Sequence, residues 1–313
     1  MIVNLMTFYF SIILGIILLS FGGDYLVKGS SGLARKLNIS PMIIGIVIIG
    51  FGTSVPEIFV TTSAVMNNSP DIALGSVVGS NIANILLVFG FALLISKTDL
   101  LAKVSNGDLF VMLFVTGLLS VLLIYGSIFF PISLMMIILL PVYFYLSYRF
   151  FNKEIDTEEV IDQSNYFKIS LFIFIGFFLL FLGSEIFIKG LKEFAIYFKV
   201  PEAILGLSLA AIGTSLPELA VTFASVKNKA EKVLLGNIIG SNIINVLGAL
   251  GIASFIGTSI AVPSEFSETS LYYFLISALW LYLLTRIKVN KILFGSFSLI
   301  AYFAYIFILY GFH

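Results

Sequence analysis

The sequence predicts an all-α integral membrane protein with ten transmembrane helices, arranged as two inverted five-helix repeats. Three observations predict this fold class. The 313-residue chain is 59% apolar and 11% charged, and its mean hydropathy of +1.11 lies far above that of soluble domains. Long apolar runs alternate with short polar breaks. The two halves of the chain also share motifs at one constant spacing.

The apolar runs, taken in order, are long enough to cross the hydrocarbon layer as helices. The first run has no positively charged leader and is too long for a cleaved signal, so we expect it to be retained. The predicted helices lie near residues 7–30, 41–66, 71–96, 109–126, 130–150, 167–191, 201–226, 232–256, 269–286 and 291–311.

A polar stretch divides the ten helices into two halves. Residues 151–166 carry a cluster of acidic side chains and predict a solvated cytoplasmic linker. We expect the first repeat in residues 1–150, the second in residues 167–313, and no sizeable soluble domain. The absence of cysteine excludes disulfides and thiolate metal sites.

The positions of lysine and arginine predict that both termini lie on the outer side of the membrane. Cytoplasmic loops carry an excess of these residues, and with the N-terminus outside only Lys189, Lys192 and Lys199 clearly oppose the assignment. An even helix count then places the C-terminus outside as well. The residues at cytoplasmic ends are Arg35, Lys36, Lys97, Lys103, Arg149, Lys153, Lys168, Lys227, Lys229, Lys232, Arg286, Lys288 and Lys291.

One constant offset relates the motifs of the two halves. A shift of 161 residues superimposes GTSVPE, at 52–57, on GTSLPE, at 213–218. The same shift superimposes GSVVGSNIAN, at 75–84, on GNIIGSNIIN, at 236–245. This constancy indicates an internal duplication. Because each half contains an odd number of helices, the second copy enters the membrane from the opposite side, which is the architecture of many secondary transporters.

The first helix of each half carries a third motif pair at this offset, GGDYLVKG and GSEIFIKG. We expect Asp24 to pair with Lys28, because i, i+4 partners share a helix face and lower the cost of taking charge toward the membrane. The same reasoning pairs Glu185 with Lys189. Glycines at seven-residue spacing predict close helix packing, a face along which a helix can slide, or both. These glycines are Gly15, Gly22, Gly29, Gly176, Gly183 and Gly190.

The twin phrases GTSVPE and GTSLPE each place a carboxylate inside an apolar helix. Glu57 and Glu218 lie near the middles of predicted helices, where an acidic side chain costs roughly 2.5 to 3.5 kcal/mol. No lysine or arginine lies at a similar depth in either half. A bound cation is therefore the simplest compensation for these charges.

Oxygen donors accompany both carboxylates. Pro56 and Pro217 lack an amide hydrogen, so we expect them to free carbonyl oxygens one turn earlier. With hydroxyl and amide oxygens, these carbonyls form a set suited to Na⁺ or Ca²⁺, without soft donors for zinc or copper. A single serine or asparagine here could serve only to join helices, but four repeated motifs indicate an ion site. The side-chain candidates are Ser54, Ser215, Ser80, Ser241, Asn84 and Asn245.

The pair GTS(V/L)PE and G(S/N)xxGSNI, repeated in two halves of a ten-helix chain, resembles the α-repeats of the cation/Ca²⁺ exchanger superfamily, most closely those of prokaryotic Na⁺/Ca²⁺ exchangers. The resemblance implies that the second, third, seventh and eighth helices enclose ion sites, and that the first and sixth helices slide to switch access. It implies that Glu57 and Glu218 are shared ligands of Ca²⁺ or Na⁺. The four serines would coordinate flanking Na⁺ ions, and the two asparagines would complete the centre. The backbone ligands implied are Gly50, Thr53, Ala211 and Thr214.

One position departs from this pattern. Many Na⁺/Ca²⁺ exchangers have an aspartate where this chain has Asn245, and the K⁺-dependent branch commonly has acids at both asparagine positions. The centre here retains two formal negative charges, which still neutralise one Ca²⁺. The missing carboxylate should weaken divalent affinity, and it makes a K⁺-dependent mode less favoured.

The sequence therefore predicts a secondary antiporter in which inward Na⁺ flow expels Ca²⁺. Antiport of H⁺ or another cation against Ca²⁺ stays an alternative, because a buried glutamate can carry a proton. A cation channel is less favoured, since a pore needs no inverted pair of switching sites.

Catalysis is not expected from this chain. Its only histidine is His313, and Asp24 is the only aspartate clearly within a predicted helix, so neither a Ser/His pair nor an aspartyl pair is available. We expect no cofactor and no nucleic-acid partner. The expected partners are the transported Na⁺ and Ca²⁺ ions and the lipid bilayer, with a monomer functioning in the cell membrane.

Overall fold

The computed structural model describes residues 2–97, 100, 104–151, 165–197, 213–262, 268–287 and 290–311. Helices dominate this part of the chain. They are α1 (Ile2–Leu37), α2 (Pro41–Thr53), α3 (Val55–Met66), α4 (Pro70–Ile95), α5 (Asn106–Tyr125), α6 (Phe130–Phe151), α7 (Tyr166–Tyr197), α8 (Leu216–Lys227), α9 (Glu231–Ile256), α10 (Glu268–Leu284) and α11 (Lys291–Gly311).

The helices occupy the positions predicted from the apolar runs. Among the described residues, seven continuous helices are long and apolar enough to cross a membrane, and the bent pair α2 and α3 makes eight if it is counted as one span. α10 is a shorter apolar helix of 17 residues. Of the predicted helix 201–226, residues 201–212 lie outside the described residues. The mostly helical membrane fold is confirmed, whereas the count of ten spans stays a prediction.

A short antiparallel strand pair was not predicted. β1 (Ser127–Phe129) follows α5, and β2 (Ser259–Ala261) follows α9, with Ile128 opposite Ile260. Both isoleucines are buried. The pair therefore ties a loop of the first half to a loop of the second half.

Two helices form the centre of the molecule. The whole apolar window of α9 is buried, and most of that of α4 is buried, whereas the windows of α1, α7 and α11 are largely exposed. The exposed side chains of these outer helices are mostly apolar, as expected for contact with lipid. α2 packs directly on α9, because Gly45 and Gly236 let the two backbones meet: a Cβ on Gly236 would lie 2.3 Å from the Met42 carbonyl oxygen.

The glycine stripes of α1 and α7 face each other. A Cβ added at Gly15 would lie 2.8 Å from the backbone of Phe187, and one added at Gly176 would lie 2.7 Å from the backbone of Leu26. Such close approach is the small-residue packing typical of membrane helices. The stripes are therefore buried between α1 and α7, as close helix packing requires.

The predicted ion pairs within α1 and α7 are wrong. Asp24 instead pairs with Lys227 at the end of α8, and it accepts a 3.0 Å hydrogen bond from the side-chain amide of Asn228. Within the described residues, Lys28 makes no ion pair with Asp24, and Lys189 makes none with Glu185. The close packing of α1 on α8, where Gly23 approaches Ala220 and its neighbours, brings Asp24 to the α8 terminus.

Candidate ion-binding site

Each twin phrase forms a helix break with the same local geometry. α2 and α3 meet at Ser54 with a bend of 43°, and Ser54 has φ −83° and ψ 0°. Ser215, which precedes α8, has φ −88° and ψ 2°. Pro56 and Pro217 lie in the first turns of α3 and α8, where a missing N–H is tolerated because no helical acceptor precedes it.

The breaks place both carboxylates at helix N-termini. Glu57 lies in the first turn of α3 and Glu218 in the first turn of α8, which corrects the expectation of a mid-helix position. The free N–H groups and the helix dipole at this end favour negative charge. Both side chains are 0% exposed, and the charge of Glu57 acts on Glu218. The helix geometry thus partly compensates two buried, interacting carboxylates.

One hydroxyl group from each half lies beside each carboxylate. Ser80 and Thr214 lie beside Glu57, and their hydroxyl oxygens are 3.2 Å apart. Thr53 and Ser241 lie in the same way beside Glu218, and their hydroxyl oxygens are 3.3 Å apart. The arrangement is reciprocal, because the threonine of each phrase faces the glutamate of the other. The two breaks therefore bring both glutamates into one buried cluster of polar side chains.

Many polar atoms of this site have no hydrogen-bond partner although they are buried. They include all four carboxylate oxygens of Glu57 and Glu218. Buried polar atoms are nearly always paired, so such a cluster calls for a ligand. Oxygen atoms predominate in it, which fits Na⁺ or Ca²⁺. The further unpaired atoms are the hydroxyls of Ser54 and Ser215, Oδ1 of Asn245, and both amide atoms of Asn84.

The expectation of freed backbone carbonyls is not met at Gly50. Its carbonyl oxygen keeps a helical partner, the N–H of Ser54 at 3.1 Å. The hydroxyls of Thr53 and Ser241 also approach it, each at 3.4 Å. Pro56 lacks the N–H group that would bond the Gly52 carbonyl, four residues earlier, so the helical bond to the Gly50 carbonyl is unaffected. Ala211, the equivalent position of the second half, lies outside the described residues.

The structure adds residues that the sequence analysis missed. Thr61 and Thr222 follow the two glutamates by one turn, and both hydroxyls are buried without a partner. Asn81 on α4 accepts a hydrogen bond from the side chain of Asn245. Asn237 accepts one from Thr53. Comparing the halves beyond the motifs would have found Thr61 and Thr222, since they too are 161 residues apart.

Both candidate asparagines begin a wide, π-helical turn. Asn84 opens residues 84–89 of α4, and Asn245 opens residues 245–250 of α9. Such turns occur frequently at functional sites. The turn at Asn245 packs against α3, and the turn at Asn84 packs against α8. Each turn therefore packs against the helix that carries the glutamate of the other half.

A cavity of about 350 Å³ lies between α7 and the first helix break. Gly52, Thr53 and Pro56 line one side of it, and Phe177 and Phe181 line the other. Because the hydroxyl of Thr53 lies beside Glu218, the cavity extends to the edge of the candidate site. Movement of α7 would change the size of this opening.

Comparisons with known proteins agree with this geometry. A family model described as sodium/calcium exchanger protein matches residues 7–149 and 168–311. An uncharacterised membrane protein of Methanocaldococcus jannaschii is 34% identical over 277 residues, which are 88% of each chain. The sodium/calcium exchanger MaX1 of Methanosarcina acetivorans is 27% identical, over 84% of this chain and 85% of its own. A solved structure of the sodium-calcium exchanger NCX_Mj superimposes with a TM-score of 0.81 at 29% identity, covering 95% of this chain and 96% of that one.

Proposed function

Since this chain belongs to the family of sodium/calcium exchanger proteins, we propose that it is a secondary antiporter that moves Na⁺ against Ca²⁺ and is not an enzyme. The family and the apolar helices identify an integral membrane transporter. The choice of Na⁺ and Ca²⁺ as the two ions, and a location in the cell membrane, are our proposal.

One observation carries the proposal: two fully buried carboxylates lie at two helix N-termini, and none of their oxygens accepts a hydrogen bond of normal geometry although hydroxyls lie beside them. Two negative charges can be neutralised by one Ca²⁺ or by two Na⁺. The same ligands would therefore serve both ions at different times, which is the requirement for exchange at a shared site. The proposed ligand set is Gly50, Thr53, Ser54, Glu57, Ser80, Asn84, Ala211, Thr214, Ser215, Glu218, Ser241 and Asn245.

Alternating access follows from the proposed architecture. We place the first repeat in residues 1–150, the linker in 151–166 and the second repeat in 167–313, with both termini outside. The α1 and α7 pair would then move as a unit across the two helix breaks. The ion pair of Asp24 with Lys227 would hold α1 against α8 in the conformation described here.

Flux in proteoliposomes tests the proposed function. Vesicles loaded with Na⁺ should accumulate ⁴⁵Ca²⁺ when diluted into choline, and vesicles loaded with choline should not. If a pH gradient alone drives Ca²⁺ uptake without Na⁺, the coupled ion is H⁺ and not Na⁺. Ca²⁺ entry that internal Na⁺ does not accelerate would identify a channel and contradict antiport.

A further inference from the structure

We propose that Asn81 is a positioning residue that turns the side-chain oxygen of Asn245 toward the bound ion and so limits the site to two carboxylates. This inference rests on the proposed function, because it assigns specificity within the same site. It concerns a residue outside the candidate ligand set. Hydrogen bonds between α4 and α9 carry it.

The side chain of Asn81 bridges two groups on α9. Its Nδ2 donates to the backbone carbonyl of Asn242 at 3.0 Å, and its Oδ1 accepts from Nδ2 of Asn245 at 3.0 Å. All three residues are buried. Asn242 and Asn245 are three residues apart and share a face of α9, so one amide from α4 can contact both.

These contacts determine the orientation of both amides. A backbone carbonyl can only accept, so Asn81 must present its NH₂ group to Asn242. The side-chain oxygen of Asn81 is then directed at Asn245, which must donate a hydrogen bond from its own NH₂ group. The Oδ1 of Asn245 is therefore directed away from Asn81. That oxygen is buried and has no hydrogen-bond partner, which leaves it available as a ligand for a hard cation.

The turn that carries this oxygen packs against the helix that carries Glu57. Asn245 opens the π-helical turn 245–250, and this turn packs against α3, whose first turn carries Glu57. Asn81 thus acts on the ion through Asn245, without needing to contact the ion itself.

The same hydrogen bonds disfavour a third carboxylate. An aspartate at position 245 would direct a carboxylate oxygen at Oδ1 of Asn81, which opposes one acceptor with another. Asn81 cannot rotate to relieve this contact, because its oxygen would then face the carbonyl of Asn242. A buried amide network of this kind is stable only when every member is paired.

The first half of the chain offers a natural control for this arrangement. Asn84 is the repeat equivalent of Asn245, yet neither atom of its side-chain amide has a hydrogen-bond partner. Asn242 is the equivalent of Asn81, but its Nδ2 donates to the Ile238 carbonyl of its own helix at 2.7 Å. Orientation by a neighbouring amide therefore distinguishes position 245 from position 84.

The first test compares Asn81→Ser with Asn242→Ser in purified protein, with Ca²⁺ binding measured by calorimetry and competed by Na⁺. Both changes remove a buried amide, so an effect on folding alone should affect both variants. We expect Asn81→Ser to weaken Ca²⁺ binding about tenfold and Asn242→Ser to change it by about twofold or less. Equal loss in the two variants would contradict the positioning role.

The second test adds a carboxylate at each asparagine. We expect Asn245→Asp alone to bring no gain in Ca²⁺ affinity over the wild type. The double variant Asn81→Ser with Asn245→Asp should bind Ca²⁺ about tenfold more tightly than Asn245→Asp alone. Asn84→Asp should gain affinity without a second change. If Asn245→Asp alone gains as much Ca²⁺ affinity as Asn84→Asp, the proposal is overturned. This comparison uses no variant of Asn81, so it holds even if those variants fail to fold.

Failure of this inference is distinguishable from failure of the proposed function. Wild-type protein that binds Ca²⁺ in competition with Na⁺ but shows no Na⁺-dependent flux would contradict antiport and leave the comparison of variants valid. Wild-type protein with normal flux and equal effects of Asn81→Ser and Asn242→Ser would contradict only the role of Asn81.

Discussion

Glu57 and Glu218 carry most of the chemistry proposed for this protein. Each is wholly buried, lies at the positive end of a helix, and faces a serine and a threonine that do not satisfy its oxygens. The helix N-termini reduce the cost of the charges without removing it. The remaining unpaired oxygens fit the transient binding of a cation that we propose.

The serines at the breaks supply a prediction about Na⁺. Ser54 and Ser215 have buried hydroxyls without partners, so Ser54→Ala or Ser215→Ala should raise the Na⁺ concentration for half-maximal flux by up to about tenfold, roughly 1.4 kcal/mol. Ser63→Ala is the control, because Ser63 is exposed on α3. Unchanged Na⁺ dependence in both break variants would remove these serines from the proposed ligand set.

The sequence revealed the types of the site residues better than their partners. The 161-residue offset marks the glutamates, serines and asparagines because duplicated polar residues are conspicuous in apolar helices. It does not show that Asn81 pairs with Asn245, or that Asp24 pairs with Lys227. Those contacts depend on how far one helix is displaced along another, and helical periodicity within a single segment does not encode that displacement.

At the scale of elements, helix breaks and wide turns position the site. The prolines predicted that each helix is interrupted. They did not show that a new helix begins after Ser54, or that its first turn contains Glu57. The π-helical turns at Asn84 and Asn245 have no signature in the apolar pattern. They pack against α8 and α3, and such contacts are not encoded in the apolar pattern of a single segment.

Engineered disulfides test which helices move together. The chain has no cysteine, so paired cysteines can be introduced without background. A Cβ at Gly23 would lie 3.1 Å from that of Ala224, and one at Gly183 would lie 3.0 Å from that of Leu18. Disulfides join Cβ atoms that are roughly 3.5 to 4.5 Å apart, so each pair can be bridged once the two helices separate slightly. Oxidised Gly23→Cys with Ala224→Cys joins α1 to α8 and should abolish flux, reversibly on reduction.

The matched pair, Leu18→Cys with Gly183→Cys, joins α1 to α7. If these two helices move as one unit, its oxidation should leave most of the flux intact. Loss of flux in this pair upon oxidation, with recovery upon reduction, would show that α1 and α7 move against each other and would contradict the rigid-pair account.

At the scale of the whole molecule, the apolar runs and the duplication predicted the helical framework well, because burial in lipid imposes length and composition on every span. The strand pair β1 and β2 and the burial of the apolar window of α9 could not be predicted in this way. Both depend on contacts between the halves, and a sequence offset relates the halves without showing how they pack.

The inverted arrangement predicts opposite labelling of equivalent positions. Met66 and Lys227 are 161 residues apart and end the equivalent helices α3 and α8, and Met66 is exposed. In intact cells a membrane-impermeant maleimide should label Met66→Cys and leave Lys227→Cys unlabelled until the membrane is opened. Labelling of both positions from the same side would contradict the inverted repeat.

The most direct test of the shared site is Na⁺-dependent ⁴⁵Ca²⁺ uptake by proteoliposomes containing Glu57→Gln, Glu218→Gln or both changes. Each substitution keeps the shape of the side chain and removes one of the two charges that the ions share. We predict that either single variant loses nearly all uptake and that the double variant loses little more, since the two residues act as one site. Uptake at the wild-type rate in both single variants would contradict the account.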